Sequence, residues 1–85
     1  MTYQVAFERT AEKELLSLPK PARERILRAL GKLTPNPFAA VNVKALKGGG
    51  YRLRVGDYRV LFSVETEILL VLVVKVGHRK EVYRD

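Results

Sequence analysis

Residues 51–62 read YRLRVGDYRVLF, two alternating segments around a Gly-Asp pair, and this pattern leaves the chain few choices. Period-two alternation puts Tyr51, Leu53 and Val55 on one face of a strand, with Tyr58, Val60 and Phe62 on the same face of the next. A two-residue loop at Gly56 and Asp57 makes a hairpin in which position 55 meets 58, so Arg54 stands across from Arg59. One face is apolar and must be covered; the other carries Arg52, Arg54 and Arg59. Like charges about 5 Å apart cost about 0.8 kcal/mol even in water. That is comparable with the roughly 0.2–1 kcal/mol that a good cross-strand pair contributes.

The segments around the hairpin supply the cover. Tyr3, Val5 and Phe7 alternate as in a half-buried strand. Thr10 reads as a helix N-cap, with Glu12 and Glu14 in the first turn where the helix dipole favours anions. Ala11, Leu15 and Leu18 form the apolar stripe of this short helix, which Pro19 ends. Pro21 opens a second helix whose Ala22, Ile26, Ala29, Leu30 and Leu33 share one side. TPNPF breaks that helix, and residues 38–50 read as an irregular connection ending in three glycines. Three strands are predicted after it, over 51–55, 58–64 and 68–76, the last apolar on both faces and therefore central. The expected architecture is α+β in the order β-α-α-β-β-β: an N-terminal strand, a helical hairpin packed on one face, and a three-stranded antiparallel meander in one sheet. The place of the first strand in that sheet is left open.

The chain has 85 residues, 47% of them hydrophobic, and shows no internal repeat or linker, so residues 1–85 are expected to form a single domain. It has no cysteine and one histidine, so thiolate catalysis, disulfides and a zinc centre are not expected, and the composition suits a reducing cytoplasm. The amino end MTYQVAFERT is unlike an export signal, and the longest apolar run, ILLVLVV over 68–74, is far short of the roughly 20 residues of a membrane helix. Sixteen basic against nine acidic residues give a formal charge of +7, which suggests a polyanionic partner.

Placement of the charge narrows the partner. Arginine holds the facing hairpin sites, and its planar fork grips phosphate oxygens in a bidentate way that ammonium cannot. Lys44 and Lys47 lie beside Gly48, Gly49 and Gly50, a rim able to close on a ligand. His78, Arg79, Lys80, Tyr83 and Arg84 follow the last strand, mixing cations with a ring on which a splayed base could stack. Each feature also has a plain structural reading. The arginine face could be a solvated exterior and the lysine rim an ordinary loop. His78 could cap a strand end, and Tyr83 could fill the core.

The LKG before the hairpin, the hairpin YRLRVGDYRVLF itself and the closing VGHRKEVYR, in the order β-α-α-β-β-β, together resemble the RelE/ParE superfamily of bacterial toxins from toxin–antitoxin pairs. The likeness covers essentially the whole chain and is strongest to the RelE branch. The resemblance implies a metal-independent endoribonuclease, with no cofactor, that cuts messenger RNA in the ribosomal A site. There the ribose 2′-hydroxyl attacks the adjacent phosphate, leaving a 2′,3′-cyclic phosphate and a 5′-hydroxyl. It further implies that Arg59 contacts the scissile phosphate, that Arg79 stabilises developing charge, and that Tyr83 stacks on a base and assists proton transfer. Arg52 and Arg54 fall where some members carry lysines, and arginine is not a workable general base. His78 or Tyr83 is therefore expected to move the proton, with Arg54 in the catalytic group and Lys44, Lys47, Arg52, Lys80 and Arg84 binding RNA.

The resemblance also implies a RelB-like antitoxin that wraps the toxin, covering the helical hairpin and masking or displacing the tail. Asp85 lies two residues beyond Tyr83, so whatever an added C-terminal helix does in some relatives is not expected here. Two rivals share the charge: a ParE-like inhibitor of DNA gyrase without nuclease activity, and a non-catalytic RNA-binding module.

Overall fold

The Gly56–Asp57 turn forms as expected, with Gly56 at φ 57, the positive value that a Gly-first two-residue hairpin turn requires. The strands on either side are paired Val55 with Tyr58, Arg54 with Arg59 and Leu53 with Val60. A computed structural model describes residues 2–78. Its elements are β1 (Gln4–Phe7), α1 (Arg9–Leu16), α2 (Lys20–Leu33), β2 (Val43–Ala45), β3 (Tyr51–Val55), β4 (Tyr58–Glu65) and β5 (Leu70–His78). The strands make one sheet in the order β1-β5-β4-β3-β2. β1 runs parallel to β5 and every other neighbouring pair is antiparallel. This is an α+β fold with both helices on one face, as the hydrophobic patterns required.

Buried side chains of the two layers meet in one core: Ala11 and Leu15 of α1, Ile26, Leu30 and Leu33 of α2, and Leu53, Val60, Phe62, Val71, Val73 and Val76 of the sheet. The face bearing these sheet residues is called inner here, and its opposite outer. A chain of rings, Tyr3 to Phe38 to Tyr51 to Phe62, with centroids 6.5, 5.5 and 5.5 Å apart, holds the segment after α2 against the inner face. Edge-to-face and offset contacts of this kind add about 0.5–1.5 kcal/mol beyond the area they bury.

Four details differ from the sequence reading. The N-cap of α1 is Glu8, not Thr10, because the chain passes straight from β1 into the helix while the Glu8 amide still donates to the Val73 carbonyl at 2.9 Å. The connection 38–50 contains β2, whose Lys44 pairs with Arg52, so the meander has four strands rather than three. The last strand begins at Leu70, not at 68, since Ile68 and Leu69 lie in the turn, Leu69 at φ 52.

The fourth difference is a bulge. Leu61 pairs with Lys75 and Phe62 with Val73, so Val74 is an extra residue in β5 with no opposite number. Strict alternation from Val71 and Val73 would have driven Lys75 into the core. The extra residue resets the phase, so Val76 packs inward opposite Val60, and Lys75 and Gly77 face outward.

β1 reaches only to Phe7, opposite Val73, so the edge of β5 beyond that point needs another partner. Glu14 of α1 provides it. One carboxylate oxygen accepts from the Val76 amide at 2.9 Å and the other meets the Lys75 ammonium at 3.1 Å. Val76 is buried, and an orphaned buried N–H costs about 1–3 kcal/mol. Glu14→Ala is therefore expected to lower unfolding free energy by about 1–3 kcal/mol in urea titrations. Glu14→Gln keeps an acceptor and loses only a half-exposed ion pair, so it should lower the free energy by less than about 1 kcal/mol.

Candidate nucleic-acid interface

Register places the cations of the outer face in two adjacent rows. Arg54, Arg59 and Gly77 lie side by side across β3, β4 and β5. One step along the strands, Lys44, Arg52, Leu61 and Lys75 form the second row across β2 to β5. Asn42 extends the first row: its carbonyl accepts from the Arg54 amide at 3.0 Å and its side-chain amide donates to the Arg54 carbonyl at 2.8 Å. The side-chain bond imitates a strand partner and fixes Arg54 where β2 has not yet begun.

Burial separates this face from a plain solvated exterior. Arg54 and Lys44 are exposed, yet Arg52 and Arg59 keep only 7% and 6% of their accessible surface. An Arg59 Nη1–H donates to the Tyr58 carbonyl at 3.3 Å, which helps hold the head of that side chain in place. Guanidinium groups withdrawn from bulk water act on an incoming anion through a lower effective dielectric than exposed ones do. A fixed fork also loses little conformational freedom when it takes two phosphate oxygens. Gly77 beside Arg59 adds no side chain to crowd an approaching strand.

The face thus unites Lys44, Arg52, Arg54 and Arg59. Lys47 lies nearby in the exposed turn between β2 and β3. His78 is not part of the group. It pairs with Tyr58, one residue out of phase with Gly77, and its ring sits edge-on to Tyr58 with centroids 5.9 Å apart, on the inner side of the sheet. The sequence reading counted His78 with the site because an imidazole is the side chain suited to proton transfer near neutral pH; strand alternation puts it on the face opposite Arg54 and Arg59. Arg79, Lys80, Tyr83 and Arg84 lie outside the described residues.

Lys75 was missed. Its signal was an isolated lysine in LLVLVVKV at a spacing that would bury it, a misfit that only a bulge relieves. Glu14, the acid that meets Lys75, read only as a helix-dipole residue.

The comparisons identify the family. The family model described as the ParE toxin of type II toxin–antitoxin systems, parDE, matches residues 5–83. The chain belongs to the RelE/ParE toxin superfamily. Within the superfamily it is RelE-like. Toxin RelG of Mycobacterium tuberculosis is 30% identical over 86 residues, covering 99% of each chain. The solved RelBE2 toxin–antitoxin complex of the same organism superposes with a TM-score of 0.81 at 30% identity, over 93% of this chain and 100% of that one. The archaeal RelE–RelB complex of Pyrococcus horikoshii gives 0.77 at 32% identity, over 93% and 97%. In this chain the two cationic rows lie on the face of the sheet opposite its helices.

The facing arginines make a prediction about stability alone. Arg54→Glu replaces a like-charged cross-strand neighbour of Arg59 with an opposite charge. The variant is expected to be more stable by up to about 1 kcal/mol, read as a higher urea midpoint with an unchanged slope.

Proposed function

We propose that this RelE-like toxin, acting as a single domain over residues 1–85, is a metal-independent, ribosome-dependent endoribonuclease that cleaves messenger RNA in the A site and so arrests translation in the cytoplasm. The observation that carries the reading is the pair of cationic rows, with Arg54 against Arg59 and Lys44 against Arg52 on the sheet face opposite the helices.

In this reading the chemistry is a transesterification at phosphorus. A ribose 2′-hydroxyl loses its proton as its oxygen bonds to the neighbouring phosphorus. The bond from phosphorus to the 5′-oxygen breaks, and that oxygen takes up a proton. The products are a 2′,3′-cyclic phosphate and a 5′-hydroxyl. Between them lies a phosphorane that has gained negative charge, which Arg59 and Arg54 bind more strongly than they bind the starting phosphate. Arg79 is assigned to stabilising the same developing charge. Lys44, Lys47, Arg52, Lys80 and Arg84 hold the flanking phosphates. With His78 turned toward Tyr58, Tyr83 is the side chain assigned to stacking and proton transfer in this reading. The ribosome supplies what a site poor in titratable bases lacks, a messenger held in line for attack.

The partner is a RelB-like antitoxin. Support comes from the RelBE2 and Pyrococcus neighbours, whose structures are toxin–antitoxin complexes, and from Leu16 and Leu27, large apolar side chains left exposed on the helical hairpin. The ParE family-model match supports a second reading, a gyrase inhibitor that cuts no RNA. The two separate in one experiment. Messenger-programmed ribosomes and gyrase-DNA reactions receive the same protein, and RNA 5′ ends and trapped gyrase-DNA complexes are both mapped. Cleavage inside reading frames is expected; intact messenger with trapped gyrase complexes would reverse the assignment.

Within the nuclease reading, Arg59→Ala and Arg79→Ala are each expected to lower single-turnover cleavage on ribosomes by about 100-fold or more, comparable with the loss of one transition-state donor. Unfolding midpoints measured alongside report whether the fold persists. Tyr83→Phe keeps the ring and removes the hydroxyl. It should retain messenger binding while slowing cleavage by about 10²–10⁴-fold, the range of general acid–base catalysis; binding and rate both unchanged would assign the tyrosine to stacking alone.

A further inference from the structure

The next step along the strands from the cationic rows is apolar. Ser63 follows Leu61 by two residues on β4, so it points to the same outer face about 7 Å further on. There Leu46, Gly49, Gly50, Leu61, Ser63 and Val74 line a pocket of about 220 Å³. That is smaller than the roughly 300–1,000 Å³ of sites for drug-sized molecules, and suits one ring system rather than a whole nucleotide. Three features make it a recess. Val74 follows the inward Val73 and so faces outward, and the bulge keeps Lys75 on the same face beside it. Gly50 sits at φ 80, and a Cβ there would meet the Phe62 carbonyl oxygen at 3.1 Å, so this wall stays bare backbone. A Cβ added at Gly49 would meet nothing within 4 Å, which leaves the rim open.

We propose that this pocket is a nucleobase subsite, which takes the base of a nucleotide whose phosphate lies on Arg52, Arg54 and Arg59. The inference rests on the nuclease reading and deepens it by naming a determinant of base preference. Position selects the occupant. Leu61 belongs both to the pocket wall and to the row of Lys44, Arg52 and Lys75, so an apolar recess and an anion-binding row share a boundary. A nucleotide has this polarity: a charged phosphate at one end and a flat, largely apolar ring one sugar away. Leu46, Leu61 and Val74 supply contact for the ring faces. The Ser63 hydroxyl both donates and accepts, so it can meet the polar edge of a base. Discrimination then comes mainly from pocket size.

The test is cleavage of a messenger library randomised at the A-site codon on purified ribosomes, with every cut site sequenced. Ser63→Leu fills the recess with a side chain that a strand accommodates. It is expected to lower cleavage about tenfold and to flatten the preference at one codon position to less than twofold. Val74→Ala enlarges the recess and should shift that position toward purines. Urea midpoints for both variants separate loss of fold from loss of recognition. Preferences identical to the unaltered protein in both variants, or no preference in the unaltered protein, would overturn the subsite and leave the nuclease reading standing. No cleavage by the unaltered protein would overturn both.

Discussion

One extra residue in β5 lets the central strand keep its apolar residues inside and its lysine outside. Val74 has no opposite number on β4, and the phase shift it introduces puts Val73 and Val76 in the core while Lys75 and Gly77 face out. Without it a lysine would replace a buried valine under α1, and the surface beside Arg59 would carry valine. The buried Val76 and the outward Lys75 and Gly77 are thus two results of one irregularity, which continues through β5 the two-faced pattern that the hairpin sets for its arginines. Glu14 reinforces the arrangement by binding both the amide of Val76 and the ammonium of Lys75, on either side of the new phase.

The hairpin was legible because each of its parts answers a local rule. Gly56 takes the positive φ, the alternation is strict, and a two-residue loop leaves one register, so Arg54 had to face Arg59. The helices were legible from their stripes and prolines. β2 was not: three residues, VKA, carry too little pattern, and they form a strand because β3 offers an edge to pair with. Nor was the bulge, which depends on the partner strand. Its one trace was Lys75 at a forbidden spacing, and reading it required knowing that Leu61 lay opposite. His78 was misplaced for a related reason. Its chemistry suggested a place beside the arginines, whereas one step along a strand reverses the face.

The outer face is graded along its strands. Nearest the hairpin turn are the facing arginines, next come Lys44, Arg52 and Lys75 with Leu61, and beyond these lies the apolar recess around Ser63. A surface built only for general attraction of polyanions would have no reason to end in an apolar recess, or to withdraw two of its guanidinium groups from water. Order along the strand direction lets a sheet distinguish the two ends of a small ligand, because the pleat holds the spacing and the side chains need only alternate in character.

The sheet is very apolar in its middle yet ends on both sides in little: β1 is four residues long and β2 three, with Lys44 at the centre of the latter. Edges this short, one of them with a cation at its centre, offer a poor template for another strand, so the sheet's own margins discourage its growth into ribbons.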